Sequence, residues 1–150
     1  MRTSIFSLLF AVAISASAQT ADGMMNIEST FTVKDTADRM ESILKENGMT
    51  VFNRIDHAQG ADKVGLELRD TELLLFGNPR VGSPLMQCRQ SVAIDLPQKA
   101  LIWQDEANRV WISYNEPGYL AKRHDITGCE EVISKIEKAL AGMATKATKE

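Results

Sequence analysis

The sequence predicts a single α+β domain in which one mainly antiparallel sheet, with a mixed sheet as the open alternative, carries helices on one face. Three observations lead there. Several segments alternate apolar and polar side chains with period two, the mark of a strand with one buried face. Two longer segments space their apolar residues three and four apart, as amphipathic helices do. The 150 residues are 44% hydrophobic and 25% charged, with no repeat or composition break to divide them, so one globular core is expected.

The chain opens with Met-Arg-Thr-Ser, an apolar run Ile5–Ile14, and the small residues Ser15-Ala16-Ser17-Ala18. A basic start, a short apolar core and a small-x-small end read as a cleaved secretory signal over residues 1–18. The apolar run falls short of the ~20 residues a bilayer span needs. Cleavage near Ala18 leaves an exported chain, periplasmic or secreted, with no membrane span. No cysteine stands at that point to take a lipid anchor. Residues 19–23 form a loose polar leader, and the domain is expected over 24–143.

From Met25 the apolar positions Met25, Ile27, Phe31 and Val33 alternate with Asn26, Glu28, Thr30 and Thr32, giving a first strand. A helix is expected to open at Lys34-Asp35-Thr36, capped by Asp35 or Thr36. Its apolar stripe is Ala37, Met40, Ile43 and Leu44, and Gly48 stands at the C′ position. Met49–Ile55 reads as a second strand and Ala58–Val64 as a helical turn. Thr71–Phe76 is the most apolar strand and is placed centrally. The glycines and prolines of Gly77–Pro84 read as a loop, and Ser83 before Pro84 as an N-cap with proline at N1, starting a helix over Pro84–Gln90. Lys99–Gln104 and Arg109–Tyr114 form a hairpin across Asp105–Asn108, with Trp103 and Trp111 on adjacent strands. Glu130–Met143 is an amphipathic helix, with Val132, Ile133, Ile136, Leu140 and Met143 on its apolar side. The tail Ala144–Glu150 is expected to fray.

Seventeen Lys and Arg against twenty Asp and Glu leave a net charge of −3, which argues against nucleic acid as a partner. Export gives the two cysteines, Cys88 and Cys129, a compartment that permits disulfides. Their single intramolecular pairing ranks ahead of an inert thiol, and that ahead of a soft metal ligand. Neither belongs to a C-x-x-C.

Four blocks carry a family resemblance: Asp56-His57 with Ala58 and Ala61; Phe76-Gly77-Asn78-Pro79 with Gly82 and Met86; Asp95-Leu96-Pro97; and Tyr114-Asn115-Glu116-Pro117 with Tyr119-Leu120. In order and spacing the chain resembles domain-of-unknown-function family 302 over roughly residues 24–125. The resemblance implies a TATA-binding-protein-like or related αβ fold and a homodimer, and it implies no activity. It does not reach Cys129.

Candidate functional residues follow from chemistry. His57 beside Asp56 suits a proton carrier or metal ligand, although a histidine capping the strand end is the plainer reading. In the Gly77–Pro84 segment, Gly77, Asn78, Arg80, Gly82 and Ser83 could turn backbone N–H groups and one cation toward an anion or carboxylate. The segment lacks the G-K-[ST] ending of a P-loop. Tyr114, at a strand end, is placed at the border of a pocket. Met86, Cys88 and His124, with His57, are the soft and imidazole groups suited to copper(I) or zinc. Met86 and Cys88, however, point about 200° apart on a helix, so Met86 fits core packing better. Asp95 is expected to order a turn. No G-x-S-x-G or H-E-x-x-H occurs, leaving a meeting of Asp56 and His57 with Ser83 as the weakest candidate. The expectation is therefore a non-enzymatic, exported domain that binds a small molecule or partner, with no cofactor. The alternatives are a periplasmic copper or zinc or redox-stress protein, and then an unrecognised hydrolase or isomerase.

Overall fold

A computed structural model describes residues 22–150, so the secretory signal expected over 1–18 lies outside the described residues. In chain order the elements are β1 (Met24–Ser29), α1 (Val33–Glu46), β2 (Thr50–Asp56), α2 (His57–Asp62), β3 (Thr71–Gly77), α3 (Pro79–Cys88), a 3₁₀ turn (Gln90–Ile94), β4 (Gln98–Gln104), β5 (Val110–Asn115), α4 (Pro117–Arg123) and α5 (Glu130–Thr148). The strands lie in the order β1-β5-β4-β3-β2, and all four pairings are antiparallel. β4 is thus the middle strand, with β3 one place from it. Trp103 pairs with Trp111, as the hairpin reading expects.

Helix α1 begins before the position expected. Its cap is Thr32, whose hydroxyl accepts from the Asp35 N–H and donates to the Asp35 carboxylate. The first of these is an N-cap bond to the N3 position, and it makes Asp35 part of the first turn. At the other end Gly48 has φ 73°. The N–H of Met49 bonds the carbonyl of Leu44 and that of Gly48 bonds Lys45, which closes a Schellman motif.

The core lies on one side of the sheet. Leu74, Phe76, Ala100, Ile102, Ile112 and Tyr114 meet Val33, Ala37, Met40, Ile43 and Leu44 of α1, with Leu140, Met143, Ala144 and Ala147 of α5. The hydroxyls of Ser29 and Thr36, both buried, satisfy each other at 2.7 Å, so β1 and α1 join without an orphaned polar group. At the edge of this layer Arg54 of β2 ties three carboxylates: Glu72, Asp38 at 2.5 Å and Glu41 at 3.4 Å. Lys34 and Arg54 hold Asp38 below the usual carboxylate range.

The tail does not fray. Residues 144–148 continue α5, with Ala144, Ala147 and Thr148 fully buried. The carbonyl of Thr148 accepts from the N–H of Thr30, and Arg39 donates to the carbonyls of Lys146, Ala147 and Lys149. Two short elements, the 3₁₀ turn and α4, have no counterpart in the sequence pattern. In α4, Tyr119 occupies the space that a Cβ on Gly23 would need.

The β4–β5 hairpin turns on Asp105. Partial burial works against its charge. Yet one carboxylate oxygen takes the N–H groups of Ala107 and Arg109, and the other takes Trp111 Nε1 and Arg109 Nε, each at 2.9 Å. Together these donors pull its pKa down to about 2. The folded value lies below the ordinary ~3.9 of the unfolded chain, so the stabilisation is complete above about pH 4 and fades as pH falls toward 2. Asp105→Asn should therefore melt below the native protein at pH 7, and the gap should close between pH 4 and 2. Thermal melts of both proteins across that range check this; a constant gap would remove the ionic account.

Candidate functional site

The segment Gly77–Pro84 is not a loop. β3 runs through Gly77, and Asn78 caps a helix whose first residue is Pro79. The proline at N1 is thus Pro79, and Gly82, Ser83 and Pro84 lie inside α3. Both ends of the Asn78 amide are engaged: its Oδ1 accepts from the Arg80 N–H at 2.9 Å and its Nδ2 donates to the Gly48 carbonyl at 3.0 Å. The N–H groups of Val81 and Gly82 both bond the Asn78 carbonyl. The donors that an anion would need are therefore spent inside the turn, which removes the backbone part of the expected anion cradle.

What α3 builds is an apolar groove of about 880 Å³. It opens at the end of the sheet where β3 stops and β4 starts. Phe76, Leu140 and Met143 lie along it from the core. Gly82, Leu85 and Met86 of α3 form one wall, Val132, Ile136 and Ala139 of α5 another, and Ala93, Leu96 and Pro97 close the side. Phe52 completes the lining. It sits at a bulge of β2 between Val51 and Asn53, and a Cβ on Gly77 would meet its ring at 3.4 Å. Bulges re-aim side chains in this way. Among the lining residues only Arg80 and Lys135 carry charge; Asn78, Ser83 and Gln98 add polarity.

The structure thus brings Gly77, Asn78, Arg80, Gly82, Ser83 and Met86 to one groove. His57 and Tyr114 are not part of it. His57 starts α2 at the far end of β2, a strand about 23 Å long, and is exposed. Its neighbour Asp56 caps that helix by accepting from the Gln59 N–H at 2.8 Å. Tyr114 is 5% exposed within the core, and burial, with Glu116 and Glu137 nearby, raises its hydroxyl pKa.

The proposed ligand set Met86, Cys88 and His124 is also not assembled. Cys88, at the end of α3, pairs with Cys129, the N-cap of α5, with Cα atoms 6.5 Å apart, within the range disulfides allow. A sulfur so bonded offers no thiolate. Met86 packs beside Leu85 and Val92. Both His124 nitrogens are engaged: Nε2 with Asp95 at 2.6 Å and Nδ1 with Ser91 Oγ at 3.1 Å. Among the described residues no group of three or more His, Cys, Asp and Glu is arranged to hold a metal ion.

Asp95 does more than order a turn. Its other carboxylate oxygen accepts from Arg123 at 3.0 Å, and its carbonyl accepts from Lys99 Nζ at 3.0 Å. Ser91, Asp95 and His124 therefore lie in a hydrogen-bonded row. Ser91 and Asp95 stand 33 and 29 positions from His124, so no motif in the sequence links them.

A family model described as "Domain of unknown function DUF302" matches residues 25–143. The chain belongs to this family. The DUF302 fold recurs in a solved structure, an uncharacterised conserved DUF302 protein from Bacillus stearothermophilus, with a TM-score of 0.77 and 21% identity over 85% of this chain and 99% of that one. Curated relatives include proteins named fluoride-specific ion channel FluC 1 in Brucella suis and Brucella abortus. Each is 40% identical over 124 residues, 83% of this chain, covering 49% and 46% of their own lengths. The DUF302 chain spans about half the length of these relatives.

The Cys88–Cys129 bridge joins the two helices that wall the groove and closes 41 positions of chain. Reducing it should cost about 2–4 kcal/mol. The expected reading is a lower urea midpoint, matched by the Cys88→Ser/Cys129→Ser double variant. An unchanged midpoint would show that packing alone holds α3 in place.

Proposed function

We propose that this DUF302 chain is an exported, non-enzymatic binding domain that takes an apolar small molecule in the groove between α3 and α5. The carrying observation is the groove itself. Its volume lies within the ~300–1,000 Å³ of ordinary ligand sites, and its lining is mostly aliphatic and aromatic with a few polar groups at fixed places, as such sites are. The pattern of residues 1–18 and the paired cysteines support export.

The relatives named as fluoride channels fit this reading without lending their activity. A channel crosses the bilayer with helices or a closed barrel, and no described helix here is long and apolar enough to span one. A small, strongly hydrated anion also needs many donors, and the groove offers few. We therefore take the shared half as a binding module that can be joined to such a channel.

The test uses protein recovered from a periplasmic fraction, where an intact mass beginning at Gln19 with both cysteines oxidised reads export. N-phenyl-1-naphthylamine, a neutral apolar fluorophore, should bind it saturably. A Cβ at Gly82 meets only Leu96 Cδ1, at 3.8 Å, so a larger side chain there grows into the groove. Gly82→Leu and Ala139→Phe should each weaken the fluorophore at least about tenfold with the fold intact by circular dichroism, the loss of about 1.4 kcal/mol. Absent or unaltered binding removes the proposal.

The Ser91–His124–Asp95 row favours a second reading, a hydrolase. It joins a hydroxyl, an imidazole and a carboxylate in the order nucleophilic catalysis uses, although here Nδ1 rather than Nε2 faces the serine. If it acts so, a fluorophosphonate should label Ser91, and His124→Ala should abolish labelling. An unlabelled protein leaves the row as a clamp holding the 3₁₀ turn to α4.

A further inference from the structure

We propose that the occupant of the groove is a free, single-chain aliphatic carboxylate, its chain lying between α3 and α5 and its head held by Arg80 and Lys135. This rests on the groove being a binding site and goes on to name the class of ligand.

Charge complementarity carries the inference. The whole chain is acidic, with net charge −3, yet the two charged side chains lining the groove are both cations and no carboxylate lines it. Arg80 is exposed and makes no ion pair among the described residues. Lys135 pairs with Glu131 at 2.7 Å, but their side chains are 73% and 83% exposed. Such surface pairs hold weakly, so the ammonium is free to turn to a ligand. The fork of an arginine matches a carboxylate in shape as well as charge. Besides the cations the lining offers Leu85, Met86, Leu96, Val132 and Ile136, surface that an unbranched chain can cover and a compact polar anion cannot.

The polar groups present argue for one anionic head rather than a polyanion. Asn78 is committed to Arg80 N–H and Gly48, which leaves Ser83, Gln98 and the two cations as the uncommitted polar side chains of the lining. A headgroup with several phosphates would bring more charge than these groups can answer.

Displacement of N-phenyl-1-naphthylamine from the full mature chain tests this with three probes below their micellar concentrations: decanoate, decan-1-ol and decyltrimethylammonium. Decanoate is expected to bind at least about tenfold tighter than decan-1-ol, as a charge-assisted contact supplies, and decyltrimethylammonium more weakly still. Lengthening the carboxylate should tighten it about fourfold per methylene. In Arg80→Gln/Lys135→Gln, both exposed positions, decanoate should fall to within about twofold of decan-1-ol while decan-1-ol keeps its native affinity.

Equal affinity of decanoate and decan-1-ol in the native protein overturns the carboxylate inference and leaves the groove standing as an apolar site. Preference for the cation overturns it in the same way. A preference for decanoate that survives in the double variant places the head elsewhere and also overturns it. Binding to phosphatidylglycerol vesicles without binding decanoate rejects the free chain in favour of a membrane surface. If no probe displaces the fluorophore, and the fluorophore itself does not bind saturably, the groove reading fails together with the inference.

Discussion

The sheet buries its helix-facing side under two long helices, and the groove follows from their unequal fit. Five strands about 4.8 Å apart span about 19 Å between their outer axes. Two helices each about 10 Å wide cover that breadth, which is why α1 and α5 leave no gap over Leu74, Ala100 and Ile102. Length is a different matter. A helix of 19 residues extends about 28 Å, and a strand of seven about 23 Å. The C-terminal end of α5 is tied to Thr30 at one end of the sheet, so the excess overhangs the other end. There the first turn of α5, which carries Val132, extends past the strand ends. Helix α3 and the turn before β4 face this overhang across the groove.

That arrangement gives the bridge and the Asp95 cluster their places. Helix α3 and the 3₁₀ turn lie beyond the strand ends, outside the main hydrophobic layer, with their own smaller cluster of Leu85, Val92, Ile126 and Ile133. So small a cluster holds a helix weakly, and Cys88–Cys129 adds a covalent tie to α5. Asp95 binds the other side: its carboxylate takes His124 and Arg123 at the end of α4, while its carbonyl takes Lys99 of β4. The groove thus has walls anchored on independent elements, and its apolar lining is retained without being packed shut.

Much of the fold was legible because it rests on local periodicity. The stripe Ala37, Met40, Ile43 and Leu44, the Gly48 terminator, the pairing of Trp103 with Trp111, and Glu130 as the start of α5 were all readable from spacing. The errors have local causes too. Thr32 fitted the polar side of a strand, which hid its capping exchange with Asp35. Two glycines and two prolines in Gly77–Pro84 outweighed Asn78 before Pro79, which is the cap-and-N1 pair that the chain uses. The small side chains of Ala144 and Ala147 carry little apolar signal in the tail, yet small side chains are what a close approach to α1 admits. For the candidate site, Gly77, Asn78, Arg80, Gly82, Ser83 and Met86 do share one groove, but as its apolar wall and rim and not as an anion cradle or metal ligands. The α5 wall and Phe52 carried no signal, since an apolar residue lining a groove looks like any core residue.

What the chain determined by itself is therefore the type and buried face of most elements, and the presence of just two cysteines to pair. These depend on neighbours a few positions apart, where propensity and periodicity act. Only the tertiary structure decided that Arg80 and Lys135 share one groove, that Cys88 meets Cys129, and that His124 stands between Ser91 and Asp95. These partners are separated by 29 to 55 positions, and they meet because strand order and helix overhang bring them together. No local pattern in the chain encodes that meeting.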